Sequence, residues 1–331
     1  VRKKKHLLAD ENNPDYAKNE NKGTVMNIFA DFEKYLTEQD RSLLTMRGYL
    51  SDLHQFVNWF EQTNGETFAL ELVTPTDVRE YRQYQLIIQH RKASTVNRHL
   101  AALAALMSWG KRTGQIEHDP TENVRGVPQV EHGPRSLDKK EQYALQRAIE
   151  KDLQLARIRY PKRWVSRQRD ASLAIFLLHT GLRLHEALAL QMDDIQLQER
   201  KGQVTVRQGK GGKSRTVPLN VAARKALQEW LSVRPENGGT FLWVGLENES
   251  PQALSGRSVQ RGLMRLGRAA NLDRLTPHIL RHSFAKNLID SGVGLEKVAA
   301  LLGHSNLNTT RIYITPNQKD LEQAVERLVS D

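Results

Sequence analysis

There is no cysteine anywhere in the chain, which excludes disulfides, thiolate metal ligands and a cysteine nucleophile together. There is also no run of about 18 apolar residues, so no segment reads as a transmembrane helix. The opening VRKKKHLLADENNPDY is basic at first but lacks the apolar stretch and small-residue cleavage site of a secretory signal. No internal repeat is visible. No cluster of carboxylates accompanies the histidines, which argues against a metal-dependent nuclease and predicts that no metal or other cofactor is needed. These absences predict a cytoplasmic protein.

What is present is length and positive charge. At 331 residues, 39% of them apolar, the chain is long enough for two domains with separate cores. Lys and Arg number 49 against 38 acidic residues, a formal charge of +11. That excess favours polyanions, of which nucleic acid is the commonest inside a cell, although solubility alone is the blander explanation.

Residues 1–23 are polar and aperiodic and read as a flexible basic arm. Four helices are predicted over 24–118. Phe29, Phe32, Tyr35 and Leu36 mark the first; Tyr49, Leu53, Phe56, Val57 and Phe60 the second. The third starts at Thr74-Pro75 and carries Val78, Tyr81 and Leu86. Val96, Leu100, Leu103, Leu106 and Met107 mark the fourth, which is expected to end near Gly110 or Gly114. Pro120, Gly126, Pro128, Gly133 and Pro134 then form a dense set of breakers, predicting a linker over 119–136. A second domain is expected over 137–316. It combines helices opening at DKKEQYALQRAI, at Asp170–His179, from about Gly256 to Ala270, at Pro277–Ser291 and at Leu295–Leu302. GQVTVRQ and KSRTVPL alternate like paired strands around Gly209-Lys210-Gly211-Gly212, and FLWV (241–244) reads as another short strand. Leu321, Val325 and Leu328 share one face of a final helix over 317–331. The fold class is therefore mainly α with a small antiparallel β-sheet.

The chemistry sits in four blocks. In TPHILRHSF, Thr276 caps a helix whose first residue is Pro277, and His278 and Arg281 stand three apart on it. A helix start favours phosphate, and an arginine there adds a two-pronged donor. In LLGHSNLNTTRIYI, Gly303 closes a helix, His304 follows, and Tyr313 lies further on. A tyrosine with a pKa of about 10 is a poor nucleophile unless cations or a base lower the cost of the phenolate. In TGLRLHEAL, Arg183 precedes Glu186; it either pairs with that carboxylate on the surface or is a second phosphate-binding guanidinium. In GKGGKSRTVPL, Lys210 at the hairpin tip is either a solvated turn residue or a proton donor, and Lys213 competes for that role.

Taken in this order, TGLRLHEAL, GKGGKSRTVPL, TPHILRHSFA and LLGHSNLNTTRIYI resemble the tyrosine recombinases, also called phage integrases. The resemblance covers roughly 137–325 by motif and the helical first domain by pattern. It implies a two-domain clamp around duplex DNA, with a helical core-binding domain and a mixed α/β catalytic domain. Tyr313 would attack the scissile phosphate, giving a 3′-phosphotyrosyl link and a free 5′-hydroxyl. Arg183, Arg281 and His304 would hold the phosphate, His278 would act as base and Lys210 as acid, with Glu186 in support. Neither ATP nor a metal is implied. His282 matches a common family residue, whereas His185 stands where a small or aliphatic residue is usual and is expected to face away.

The same resemblance implies a double-stranded recombination site as partner and a homotetramer on two such sites, docked through the C-terminal helix. An accessory directionality factor, nucleoid association in a bacterium, and integration or excision of a mobile element go with it. Arg91, Lys92 and Arg98, and the stripe Arg257, Arg261, Arg265 and Arg268, are expected DNA contacts, with a solvated helix face as the alternative. Two competing functions are a type IB topoisomerase, acting alone, and an architectural DNA-binding protein with vestigial catalytic residues.

Overall fold

The computed structural model describes residues 14–129, 133–207, 214–246, 252–304 and 308–311, together with Val325. It separates into two compact units, Val1–Glu131 and His132–Asp331, and each has its own apolar core. No helix among the described residues is long and apolar enough to cross a membrane.

Among the described residues, four α-helices build the first unit: α1 (Pro14–Glu38), α2 (Leu43–Asn64), α3 (Pro75–Gln83) and α4 (Ala93–Arg112). α1 begins earlier than the Thr24 start that apolar spacing predicts. Pro14 supplies a fixed φ suited to a first helical position, and DYAKNENK after it is polar but largely helix-compatible. A polar helix start leaves no mark in hydrophobic spacing, so the part of the expected arm from Pro14 onward is helical; residues 1–13 lie outside the described residues. α3 is opened by a reciprocal cap. The Thr74 hydroxyl accepts from Asp77 N–H, and the Asp77 carboxylate accepts from Thr74 N–H at 2.8 Å. A π-helical turn, Tyr84–Ile88, continues it. α4 passes through Gly110 because a missing Cβ there lets Leu70 approach; an added Cβ would lie 3.2 Å from its side chain.

Phe32, Phe56, Phe60, Leu103, Leu106 and Met107 fill the core of this unit and are almost completely buried. Burying side chains of this size contributes about 1.5–3 kcal/mol each. A polar group is buried with them. His99 contacts the Tyr81 hydroxyl through Nδ1 (3.2 Å) and Arg91 Nη1 through Nε2 (2.8 Å). A guanidinium can only donate, so Nε2 accepts and Nδ1 carries the proton. The nearby Asp52 carboxylate, 3.3 Å from Nε2, therefore faces a neutral ring, and its ion pair is with Arg98 (2.6 Å).

Burial, with Arg91 and Arg98 alongside, pushes the His99 imidazole down to about 4. The unfolded chain then takes up a proton first as pH falls below about 6.5, so this ring contributes full stability at pH 7 and loses it between about 6.5 and 4. The expected loss at pH 5 is about 2 kcal/mol from His99. Asp52, whose carboxyl is raised by burial against the pull of Arg98, has the opposite sign. Comparing urea midpoints at pH 7 and pH 5 for the full chain and a His99→Gln variant checks this. An unchanged pH difference in the variant would assign the acid sensitivity elsewhere.

The segment after α4 is strapped to its own unit. Asn97 Nδ2 donates to the Val127 carbonyl (2.9 Å), Val127 N–H donates back to Asn97 Oδ1 (2.7 Å), and Arg82 Nη1 donates to the Arg125 carbonyl (2.6 Å). The predicted linker thus begins as a bound strap. Its other end is held too: Leu137 N–H donates to Ser283 Oγ (2.7 Å), and Arg135 pairs with Glu141 (2.7 Å).

The second unit contains α5 (Lys139–Arg159), α6 (Trp164–Thr180), α7 (Leu184–Ala189), strands β1 (Ile195–Leu197), β2 (Gly202–Val206) and β3 (Arg215–Pro218), then α8 (Val221–Leu231), α9 (Gly256–Ala269), α10 (Pro277–Asp290), α11 (Leu295–Leu302) and the single turn α12 (Asn308–Arg311). α6 is apolar almost all round, from Ala171 to Leu178, and forms the hub on which α5, α8, α9 and α10 pack. Its first turns, from Trp164, precede the Asp170 start that was expected. The sheet is antiparallel in the order β1-β2-β3. β2 and β3 pair as predicted, with Val204 opposite Val217 and Val206 opposite Arg215. Their connecting turn, with Lys210 and Lys213, lies outside the described residues. β1, α7 and α8 were not predicted. Phe241–Val244 is not a strand: among the described residues it makes only isolated bridges, Gln191 to Phe241 and Val244 to Ala253. Its apolar run reflects burial of Leu242 and Trp243, with the Trp243 ring stacked on Trp230 at 6.0 Å.

Candidate active site

Two glycine helix stops place the site. α6 ends at Gly181 in the left-handed region (φ 63°), and the chain turns at once into Leu182 and Arg183, the residue that opens α7. α11 ends at Gly303 (φ 68°). Gly303 N–H donates to the Ala300 carbonyl (3.1 Å) and His304 N–H to the Ala299 carbonyl (3.0 Å), the paired bonds of a Schellman ending. His304 is thereby fixed two residues beyond the helix, directly after the Gly303 stop.

Arg281, on α10, is buried at 4% exposure and ties these endings together. Its Nη1 donates to the Gly181 carbonyl (2.6 Å), and its Nη2 donates to the Leu302 carbonyl (2.9 Å) and meets His304 Nε2 (2.9 Å). Since the guanidinium has only donors, His304 accepts at Nε2 and its proton lies on Nδ1, facing Thr310 Oγ1 (2.7 Å). Burial first, then the charges of Arg281, Arg183 and Arg215, push this imidazole down to about 4, so it is neutral at physiological pH. Arg183 Nη1 reaches toward the same Leu302 carbonyl (3.5 Å).

Glu186 is buried and accepts from Arg183 N–H (2.8 Å), Arg183 Nη1 (3.0 Å), Arg215 Nη1 (2.9 Å) and Arg215 Nη2 (2.8 Å). Burial alone would raise its carboxyl; the hydrogen bonds from Arg215 and Arg183 outweigh that and hold it at about 2. The three guanidiniums thus converge on one region with Glu186 as a fully ionised partner. Such an arrangement of fixed donors is suited to an oxyanion.

Four of the residues singled out from the sequence, Arg183, Glu186, Arg281 and His304, are therefore brought together. His278 is exposed, and its ring stacks on His282 with centroids 6.3 Å apart; burial, His278 and Arg281 push His282 down to about 4. His185 is exposed, as expected. Tyr313 and Lys210 lie outside the described residues. Arg215 was missed. The available signal was strand parity, because Arg215 and Val217 share a face of β3 and Val217 is completely buried.

The basic residues expected on DNA divide. Arg257, Arg261 and Arg268 are exposed on α9. Arg265 is instead drawn into the protein, paired with Asp152 and with Asp170 (3.2 Å); Arg167 also bonds Asp152 (2.8 Å), so this network joins α5, α6 and α9. Helical spacing cannot reveal acidic partners on other helices. Arg91 is likewise turned inward, donating to Gln55 Oε1 (2.6 Å) as well as to His99. Arg98 is half exposed beside Asp52, and Lys92 is exposed.

Comparison with known proteins identifies the family. The pattern of the "Phage integrase family" covers residues 153–320, and that of the "Phage integrase, N-terminal SAM-like domain" covers 29–114. Tyrosine recombinase XerC of Pseudomonas aeruginosa is 32% identical over 90% of this chain and 94% of its own length. The TnP I resolvase of Bacillus thuringiensis is 27% identical over 92% of this chain and the whole of its own. Among solved structures, the XerH site-specific recombinase bound to palindromic difH substrate, a post-cleavage complex, superposes with a TM-score of 0.70 at 26% identity, over 90% of this chain and 84% of that one. The chain belongs to the phage integrase family, the tyrosine recombinases.

Proposed function

We propose that this protein exchanges DNA strands at a specific duplex site through a covalent phosphotyrosine. Tyr313 attacks the scissile phosphorus while His278 takes up its phenolic proton. The bond to the 5′-oxygen breaks as Lys210 protonates that oxygen, leaving a 3′-phosphotyrosyl link and a 5′-hydroxyl. A 5′-hydroxyl from the partner duplex then attacks the link, releases the tyrosine and rejoins the strand, so the bond energy is conserved without ATP. Arg183 and Arg281 bind the non-bridging oxygens and, with His304, stabilise the charge of the five-coordinate phosphorus. The observation that carries this reading is the convergence of Arg183, Arg281 and His304 beside the Leu302 carbonyl, from three separate parts of the chain.

Exposed Lys92, Arg98, Arg257 and Arg261 are assigned to the DNA backbone in this reading, which predicts binding that weakens steeply with salt. A tetramer on two sites, docked through 317–331, a directionality factor, nucleoid association and a mobile-element substrate belong to the same proposal; apart from Val325, that final segment lies outside the described residues. The test is to incubate the protein, in EDTA, with nicked duplexes from its native locus and to look for an adduct that survives denaturation. Peptide mapping is expected to place the attached nucleotide on Tyr313. Attachment at another residue, or DNA binding with no adduct at all, would overturn the proposal; the latter would favour the architectural role.

A further inference from the structure

Arg183 and Arg215 share one carboxylate, and they share it unequally. Arg215 approaches Glu186 as a parallel fork, one nitrogen to each oxygen (2.9 and 2.8 Å), while its Nε donates to the Leu301 carbonyl (3.0 Å). Arg183 gives Glu186 only its backbone N–H and Nη1. Each carboxylate oxygen therefore accepts two bonds, which fills its lone-pair capacity. Nε and Nη2 of Arg183 make no hydrogen bond among the described residues, and its side chain keeps 25% exposure against 14% for Arg215.

We propose that Arg215 is a positioning residue of this active site: by holding both oxygens of Glu186, it leaves the outer donors of Arg183 aimed at the scissile phosphate. The inference rests on the strand-exchange reading above. Its physical core is competition. A buried carboxylate left with half its bonds unmade is costly, and the nearest remaining cation is Arg183. Without Arg215, the Arg183 fork turns onto Glu186 and its donors are withdrawn from the anion site. Lysine cannot substitute fully, because a single ammonium does not reproduce the planar two-pronged bond.

The packing around Arg215 is equally specific. A Cβ on Gly303 would lie 2.8 Å from Arg215 Nη1 and 2.9 Å from its Cζ. The guanidinium is thus laid against the glycine that aims His304. One side chain at the start of β3 consequently orients groups on both sides of the anion site, Arg183 through Glu186 and His304 through Gly303.

The test measures adduct formation on the nicked native-locus duplexes in EDTA for wild type, Arg215→Gln, Arg215→Lys and the double variant Arg215→Gln/Glu186→Gln. Arg215→Gln is expected to slow adduct formation about 100-fold, the scale of a misplaced catalytic group. Arg215→Lys is expected to fall between it and wild type. Removing the charge of Glu186 in the double variant releases Arg183 and should recover about tenfold. The groups facing Glu186 are Arg183 from the start of α7 and Arg215 from β3, with Arg281 and His304 beyond them. In Arg215→Gln, burial lifts the Glu186 carboxyl, so lowering the pH neutralises it, and the ratio of variant to wild-type rate should rise as pH falls. Arg281 is common to both proteins and cancels in that ratio; His304 loses the charge of Arg215 in the variant, so the same ratio is also taken in a His304→Gln background, where the rise should persist.

A double variant that regains wild-type thermal stability but none of the lost rate, or a ratio independent of pH, would confine Arg215 to holding the fold and overturn the proposal. Wild-type protein forming no adduct would instead defeat the strand-exchange reading, and this inference with it.

Discussion

Replacing Arg281 by lysine keeps the positive charge and is expected to reduce adduct formation by about 1,000-fold. The residue is 4% exposed, and its two terminal nitrogens serve the Gly181 carbonyl, the Leu302 carbonyl and His304 Nε2 at once. These acceptors lie on the end of α6, the end of α11 and the residue beyond it. A planar fork reaches all three; a lysine ammonium on a flexible stem satisfies one or two and leaves the others buried without a donor. In the proposed mechanism the loss therefore has two parts, weaker grip on the phosphate and a displaced His304. The same variant should also unfold more easily, by about 1–3 kcal/mol for each carbonyl left unpaired. Adduct kinetics and a urea titration measure the two parts separately. Retention of rate within tenfold of wild type would show that charge alone, without the directed bonds, is what the site needs from Arg281.

Gly181→Ala is expected to cost more than about 3 kcal/mol of stability in the second unit. Two penalties coincide there. Its φ of 63° lies in the left-handed region, and an added Cβ would stand 2.3 Å from Phe284 Cδ1 and 3.0 Å from Leu302 Cδ2. Gly65 provides the control, since its φ is 73° but nothing lies within 4 Å of its added Cβ. Gly65→Ala carries the backbone strain alone, about 1 kcal/mol. Thermal or urea unfolding of the two variants isolates the contact penalty as their difference. Equal losses would mean that Phe284 moves aside freely. Because the Gly181 carbonyl is an acceptor for Arg281, the surviving folded fraction of Gly181→Ala should also cleave slowly.

Much of this organisation was legible before the structure. Apolar spacing located α2, α3, α4, α10 and α11, because those helices bury a stripe and leave the rest wet. Glycine stops before Arg183 and His304 were readable for the reason that makes them work: only glycine ends a helix cheaply in the left-handed region. The same reasoning missed α8, although Asn220 is a sound cap and Ala226, Leu227 and Trp230 recur at helical spacing. It read Phe241–Val244 as a strand because a short apolar run signals burial more surely than it signals extension.

At the site, block-by-block reading found the residues whose motifs are local and lost those whose partners are distant. Arg265 belongs to a regular stripe along α9, yet Asp152 and Asp170 reach it from α5 and α6. Arg215 was not singled out from the sequence, and its partner Glu186 lies on α7. Charge pairing across separate elements is a property of the assembled fold, and no window of sequence contains it.

The strap that fastens Val127 to Asn97, together with the bonds that hold Arg135 and Leu137 in the second unit, pins the two ends of the stretch 128–134 each to its own unit. From Pro128 to Pro134 a fully stretched chain reaches at most about 25 Å. In the proposed strand-exchange reading, a tether of this reach would present the second unit to an engaged duplex at an effective concentration on the order of millimolar. If the protein grips DNA as proposed, lengthening this segment with flexible residues, while leaving Asn97 and Ser283 untouched, is expected to shorten its residence on DNA.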